Sequence, residues 1–131
     1  KQCHSFKVVP SVFRSIGEFL QSPAKKIAAN MKFEEAWSRV FFGTEVNNWY
    51  WDTMLRTHVD DNRSGICGLK FQAFVCFGIE WAERISPYLE AKQANGLNAI
   101  DQAPERELLL YGGMDAWWEF KLYERQQGGA I

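Results

Sequence analysis

The sequence predicts a mainly α-helical, compact, multi-helix single domain spanning residues 1–131. Three observations lead there. A chain of 131 residues has the length of one ordinary domain. Hydrophobic residues make up 47% of it, including six Trp and ten Phe, which is enough to fill a core and argues against disorder. Apolar side chains recur at three- and four-residue spacing between residues that start and stop helices. The alternative is an α+β domain with a C-terminal hairpin at about residues 107–124.

Residues 1–10 read as an irregular lead-in ending at Pro10. "SVFRSIGEFLQ" follows as an amphipathic helix, with Ser11 as N-cap and Val12, Phe13, Ile16, Phe19 and Leu20 in one stripe. "SPAKKIAANM" reads as a second helix, since Ser22 can cap it and Pro23 suits the first helical position. In "KFEEAWSRVFFG" the amphipathic pattern returns: Phe33, Ala36, Trp37, Val40 and Phe41 line one side, and Gly43 is placed to end the helix.

Thr44 is the expected cap of "EVNNWYWDTMLRTHV", a helix with two apolar stripes. Val46, Trp49, Tyr50, Thr53 and Met54 form the main one, and Trp51, Leu55, His58 and Val59 the second. Asn48, Asp52 and Arg56 make a narrow polar edge, with Asp52–Arg56 an i,i+4 ion pair. A helix apolar on two sides is central in its domain or covered by a partner.

"GLKFQAFVCFGIEWAERISPYLEA" is apolar nearly all round from Phe71 to Ile79 and amphipathic from Glu80 to Arg84. Its length, its Ala content and the tail "EWAERI" favour a helix that Pro87 kinks or ends. The alternation of Leu69, Phe71, Ala73, Val75, Phe77, Ile79 and Trp81 would also suit a strand. "KQANGLNAIDQAP" is a polar connection with a turn at Asn95-Gly96. "PERELLLYGG" reads as a short helix from Pro104 to Gly112-Gly113. "DAWWEFKLYERQQGG" reads as a helix between an Asp115 cap and Gly128. Trp118, Phe120 and Leu122 alternate there with Glu119 and Lys121, which is the basis of the hairpin alternative.

The net charge of −1 points to no strongly charged partner. Its distribution is uneven: residues 1–40 hold seven Lys/Arg against three Glu, a net +4, and the remainder is −5. Weak nucleic-acid binding through this basic third is therefore a reading, although no aromatic–basic stacking motif accompanies the scattered charges. Cys67 and Cys76 lie about 13 Å apart along a helix, too far for a disulfide, so three cysteines imply no disulfide framework and a cytoplasmic default. No apolar run approaches the roughly 20 residues of a membrane span. The chain begins at Lys1 without a methionine, which fits a removed leader or tag and a trimmed start alike.

The stretch "THVDDNRSGICGLKF" holds most of the polar chemistry in mid-chain. Asp60, Asn62, Ser64 and Gly65 match the first half of a calcium loop, but the twelfth position, which needs a bidentate carboxylate, is Phe71. The same residues make ordinary turns. His58 with Asp60 or Asp61 has the composition of a general-base pair, with Arg56 or Arg63 to bind an anion, yet no nucleophile motif is present. No spacing of Cys3, His4, His58, Cys67 and Cys76 suits zinc, and Gly65, Gly68 and Gly78 form no phosphate loop. No cofactor is expected.

Most of the tryptophans are expected in the core. Trp51, Leu55, His58, Trp117 and Trp118 are the residues expected to meet a partner. The sequence thus points to a non-catalytic binding protein with an aromatic-rich helical surface, docking a protein partner or a second copy as a homodimer. The alternative is a small-molecule enzyme or pocket around His58, Asp60 and Asp61.

Overall fold

A computed structural model describes residues 2–91, 93–94 and 96–128. Six α-helices and a pair of short strands follow in the order α1 (Pro10–Gln21), β1 (Lys26–Ala28), α2 (Met31–Phe42), β2 (Trp49–Asp52), α3 (Thr53–Asp60), α4 (Leu69–Phe77), α5 (Ser86–Leu89) and α6 (Glu105–Gln126). A short 3-10 turn, Ile100–Gln102, precedes α6. The fold is mainly α, as the apolar periodicity predicts. α6 is its spine: α3, α4 and β1 all pack on it, while α1 packs on α2.

Several elements differ from expectation. Residues 22–30 form no helix. The Ser22 amide and hydroxyl both donate to the Phe19 carbonyl, closing α1, and β1 then pairs in parallel with β2. The Lys26 ammonium is buried; it turns back to the carbonyls of Ser22 (2.7 Å) and Ala24 (2.9 Å), which satisfies its charge without a carboxylate.

Residues 45–59 are likewise not one helix. Asn48 is left-handed (φ 59°), the β-prone run Trp49–Asp52 extends, and α3 starts only at Thr53. Thr44 caps nothing: its hydroxyl faces Gln21 and the Glu45 carbonyl. The Asp52–Arg56 pair does not form, because the Asp52 carboxylate accepts the backbone amide of Leu55 (3.0 Å) and caps α3. Arg56 pairs with Asp60 instead (2.9 Å).

The long element after residue 68 is helical, not a strand, but stops at Gly78, whose φ of 68° and amide bond to the Phe74 carbonyl make a left-handed C-cap. Pro87 lies in the first turn of the separate α5 rather than ending a helix. The Gly96 amide donates to the Gln93 carbonyl (2.9 Å) in the polar connection; Asn95 lies outside the described residues. The C-terminal hairpin is absent, since α6 runs unbroken through Gly112, Gly113 and Asp115. The lead-in lies against that glycine pair, where the Cys3 thiol donates to the Gly113 carbonyl at 3.1 Å and a Cβ on Gly112 would touch Ser5. Asp115 is no cap; it accepts the Trp81 indole N–H at 2.8 Å.

Apolar burial is sparse. Among the described residues only Ala28, Val46, Ala73, Ile85 and Leu122 are buried apolar side chains, against buried Lys26, Ser38, Thr53, Thr57 and Glu119. Asp52 ties two helix starts together: besides capping α3 it accepts the amides of Asn30 (3.1 Å) and Met31 (2.9 Å) at the head of α2. Replacing it strands three backbone donors. Asp52→Ala is expected to lose about 2–3 kcal/mol in urea unfolding, and Thr44→Ala less than about 0.5 kcal/mol. Equal losses would contradict this assignment of the caps.

Candidate interaction surface

An amphipathic helix ordinarily turns its apolar stripe to the core. α2 does the reverse. Met31, Glu35, Ser38 and Phe42, spaced four, three and four residues apart, form its covered side. Phe33, Trp37, Val40 and Phe41 stand on the opposite side and are 54%, 45%, 72% and 60% exposed.

Polar bonds fix this orientation. Glu35 accepts the Val46 amide (3.1 Å), the Trp49 indole N–H (3.0 Å) and the Arg39 guanidinium (3.0 Å). Partial burial opposes its charge, but these donors win and hold its pKa below the ordinary carboxylate value. With Asp52 at the helix head and Glu35 one turn on, the polar side of α2 is bound to β2 and its flank.

The outward side chains are stacked on one another. Trp37 lies edge-on to Phe33 (centroids 6.0 Å) and stacks at 30° on Phe41 (5.2 Å). Phe41 also borders a groove of about 690 Å³ lined by Val8, Val9, Pro10, Phe13, Phe41 and Phe42. The apolar surface therefore runs from the N-terminal end of α2 to the N-terminal end of α1. No helix among the described residues is long and apolar enough to cross a membrane.

The five residues expected to meet a partner are not gathered in one place. Leu55, His58 and Val59 are exposed on α3, with Leu55 at 58% and Val59 at 72%. Trp51 is half-buried, its indole N–H donating to Gln126 (2.9 Å) and its ring edge-on to Tyr123. Trp118 stacks on Phe77 (5.2 Å) and Trp81 (6.5 Å) where α4 meets α6. Trp117 is half-covered beside the Lys121 ammonium. The α2 stripe was legible as amphipathic, but nothing in its spacing says that it faces out.

The Asp-rich bend forms local ion pairs. Asp60 binds Arg56, and Asp61 takes the Arg63 guanidinium through both oxygens, which holds its pKa below the usual range. Asn62 and Ser64 are exposed. Asp60 and Asp61 do border a cleft of about 520 Å³ together with Arg56, Arg63 and Arg125, but His58 does not line it and is bonded to neither carboxylate. No group of three or more His, Cys, Asp or Glu suited to a metal occurs among the described residues, and Cys3, Cys67 and Cys76 are free thiols.

A polar network fills the junction of α3 and α6. The Thr53 hydroxyl donates to both Glu119 oxygens at 2.9 Å, and the Thr57 hydroxyl donates to the Thr53 carbonyl. The Gln126 amide donates to that carbonyl and to the Thr57 hydroxyl. Burial raises the Glu119 pKa from 4.5 to about 7; the Thr53 bond opposes this, and the charges of Asp52, Glu34 and Asp115 reinforce it.

Comparison of the chain with protein-family models, curated proteins and solved structures returned no match.

A carboxyl whose pKa is raised by folding favours the folded state at low pH. That contribution is complete below pH 4.5 and is lost as pH rises through about 7. Glu119→Gln removes the titration while keeping an acceptor for Thr53. It is expected to match the wild type at pH 4.5 and to exceed it by ~2–3 kcal/mol at pH 8 in denaturant unfolding. An equal wild-type-to-variant difference at both pH values would count against a protonated buried Glu119.

Proposed function

We propose that this chain is a non-catalytic interaction protein that docks another protein on the aromatic face of α2 and the adjoining end of α1. The reversed orientation of α2 carries the reading. Four large apolar side chains are held outward by bonds on the far side of the helix, and each, 45–72% exposed, gains roughly half of the 1.5–3 kcal/mol of complete burial when covered. Contiguous exposed apolar surface of this kind is characteristic of protein contacts. Self-association is one form of this role, and Leu55, His58 and Val59 offer α3 as a secondary contact.

A second reading, a pocket for a small anion, draws on the cleft beside Asp60 and Asp61. Arg125 borders it and has no ion-pair partner among the described residues, while Ile66, Phe71 and Val75 supply apolar walls. Catalysis there has less support, since His58 lies outside the cleft. Nucleic-acid binding by the basic third also has less support: Lys7, Arg14 and Arg39 are in ion pairs, Lys26 is buried, and Lys25 sits over the Tyr50 ring.

The outward placement of α2 has a direct test. Trp37→Glu is expected to cost about 1 kcal/mol or less in urea unfolding of the monomer at high dilution, where a core tryptophan would cost about 3–5 kcal/mol. A photo-crosslinking residue at position 41 is expected to give discrete protein adducts in native cells, and one at Glu18 few. A core-sized loss at Trp37, or equal adducts at both positions, would remove the reading.

A further inference from the structure

We propose, resting on the docking role of this face, that its occupant is a second copy of this chain, with the two α2 helices packed antiparallel about a twofold axis near Trp37. A twofold contact must be self-complementary: whatever protrudes at one place on the patch needs a recess at the place the axis exchanges it with. The α2 face meets that demand. Phe33 stands exposed toward its N-terminal end. The groove of about 690 Å³ between Phe41, Phe42, Phe13 and the Val8–Pro10 segment opens at its C-terminal end. Residues 33 and 41 are about 12 Å apart along the helix, with Trp37 midway. Antiparallel packing sets Phe33 of each copy at the groove of the other and brings the two Trp37 side chains together.

Charge agrees with the same arrangement. Lys32, beside Phe33, has no ion-pair partner among the described residues, while Glu45 stands just beyond the other end of the helix, paired with Arg39. Antiparallel packing brings Lys32 of one copy toward Glu45 and the negative C-terminal end of α2 in the other, twice over. At a net charge of −1 per chain, two copies do not repel appreciably.

Sedimentation equilibrium of the purified chain, paired with hydroxyl-radical footprinting read at Phe33, Trp37 and Phe41, tests the inference. The wild type is expected to be a dimer with these side chains protected. Trp37→Glu is expected to raise the dissociation constant about 100-fold or more with unchanged circular dichroism. Lys32→Glu and Glu45→Lys are each expected to weaken the dimer several-fold, and the double variant to recover it. A wild type that stays monomeric at 200 μM (a concentration of about this order exposes even weak pairs) with the face modified overturns the second-copy occupant but leaves docking of a different protein intact. A monomer with the face protected overturns both. A dimer that survives Trp37→Glu with the face still modified places the contact elsewhere and overturns the inference.

Discussion

The Asp52 carboxylate binds the first turns of two helices at once, and the arrangement of the N-terminal half follows from it. One oxygen accepts from both Asn30 and Leu55, and the other accepts from Met31. Since Asp52 ends β2, this fixes the head of α2 beside the end of the second strand and starts α3 from the same point. Glu35, one turn into α2, then has only one side of the helix on which to meet Val46 and Trp49. Each of these bonds is a charged acceptor with a neutral donor, stronger than a neutral pair. Rotating α2 to bury its aromatic stripe would break the four bonds made by Asn30, Met31 and Glu35 and leave the Asp52 carboxylate with the Leu55 amide alone. The polar side of the helix therefore goes in, and Phe33, Trp37, Val40 and Phe41 go out.

The interior that results is unusual in composition. Among the described residues the buried set holds as many polar as apolar residues, and most of the polar ones have partners: Lys26 turn carbonyls, Thr57 the Thr53 carbonyl, and Thr53 the Glu119 carboxyl. Below about pH 7 a protonated Glu119 is the cheaper state there, because a charged one must be desolvated beside other carboxylates. Such a centre orients α3 against α6 well but contributes little hydrophobic stabilisation. The aromatic content that would ordinarily supply it is divided between the Phe77–Trp81–Trp118 stack and the outer face of α2.

Helix content was legible because period and stop signals are local. α1 and α2 lie where apolar spacing puts them, α4 starts where expected, the C-terminal helix was read from its end signals against an alternating pattern, and Gly43 and Gly78 take the left-handed conformation that ends a helix. Gly43 was read as a stop; Gly78 was passed over inside a long apolar run. The strands were not legible, because Lys26–Ala28 is only three residues long and its pairing with Trp49–Asp52 is a tertiary fact. Asp52 shows the same limit. Its i,i+4 spacing to Arg56 suggested an ion pair, yet an aspartate just ahead of Thr53 had the better use as a cap. Gly112 and Gly113 misled in the opposite direction, since they serve a close approach of the lead-in rather than a helix end. For the site, the second stripe did not say whether Leu55 and His58 would be covered, and the facing of α2 depended on Glu35 and Asp52 partners far off in sequence.

That facing also bears on why the stripe is aromatic at all. A solvated helix side needs no Phe or Trp, and three such residues left largely in water, with Val40, forgo several kcal/mol of burial. The chain has polar side chains in its interior while this apolar set stands outside, so composition alone cannot account for the arrangement. Stacking of Trp37 between Phe33 and Phe41 recovers part of the loss and, more usefully, fixes the three rings in one arrangement before anything binds. A pre-ordered aromatic ladder loses little conformational entropy on docking, which is the property that makes such residues effective contact anchors. The polar bonds behind α2 and the aromatic ladder in front of it are thus two sides of one device: the first holds the helix in place, and the second is what the helix presents.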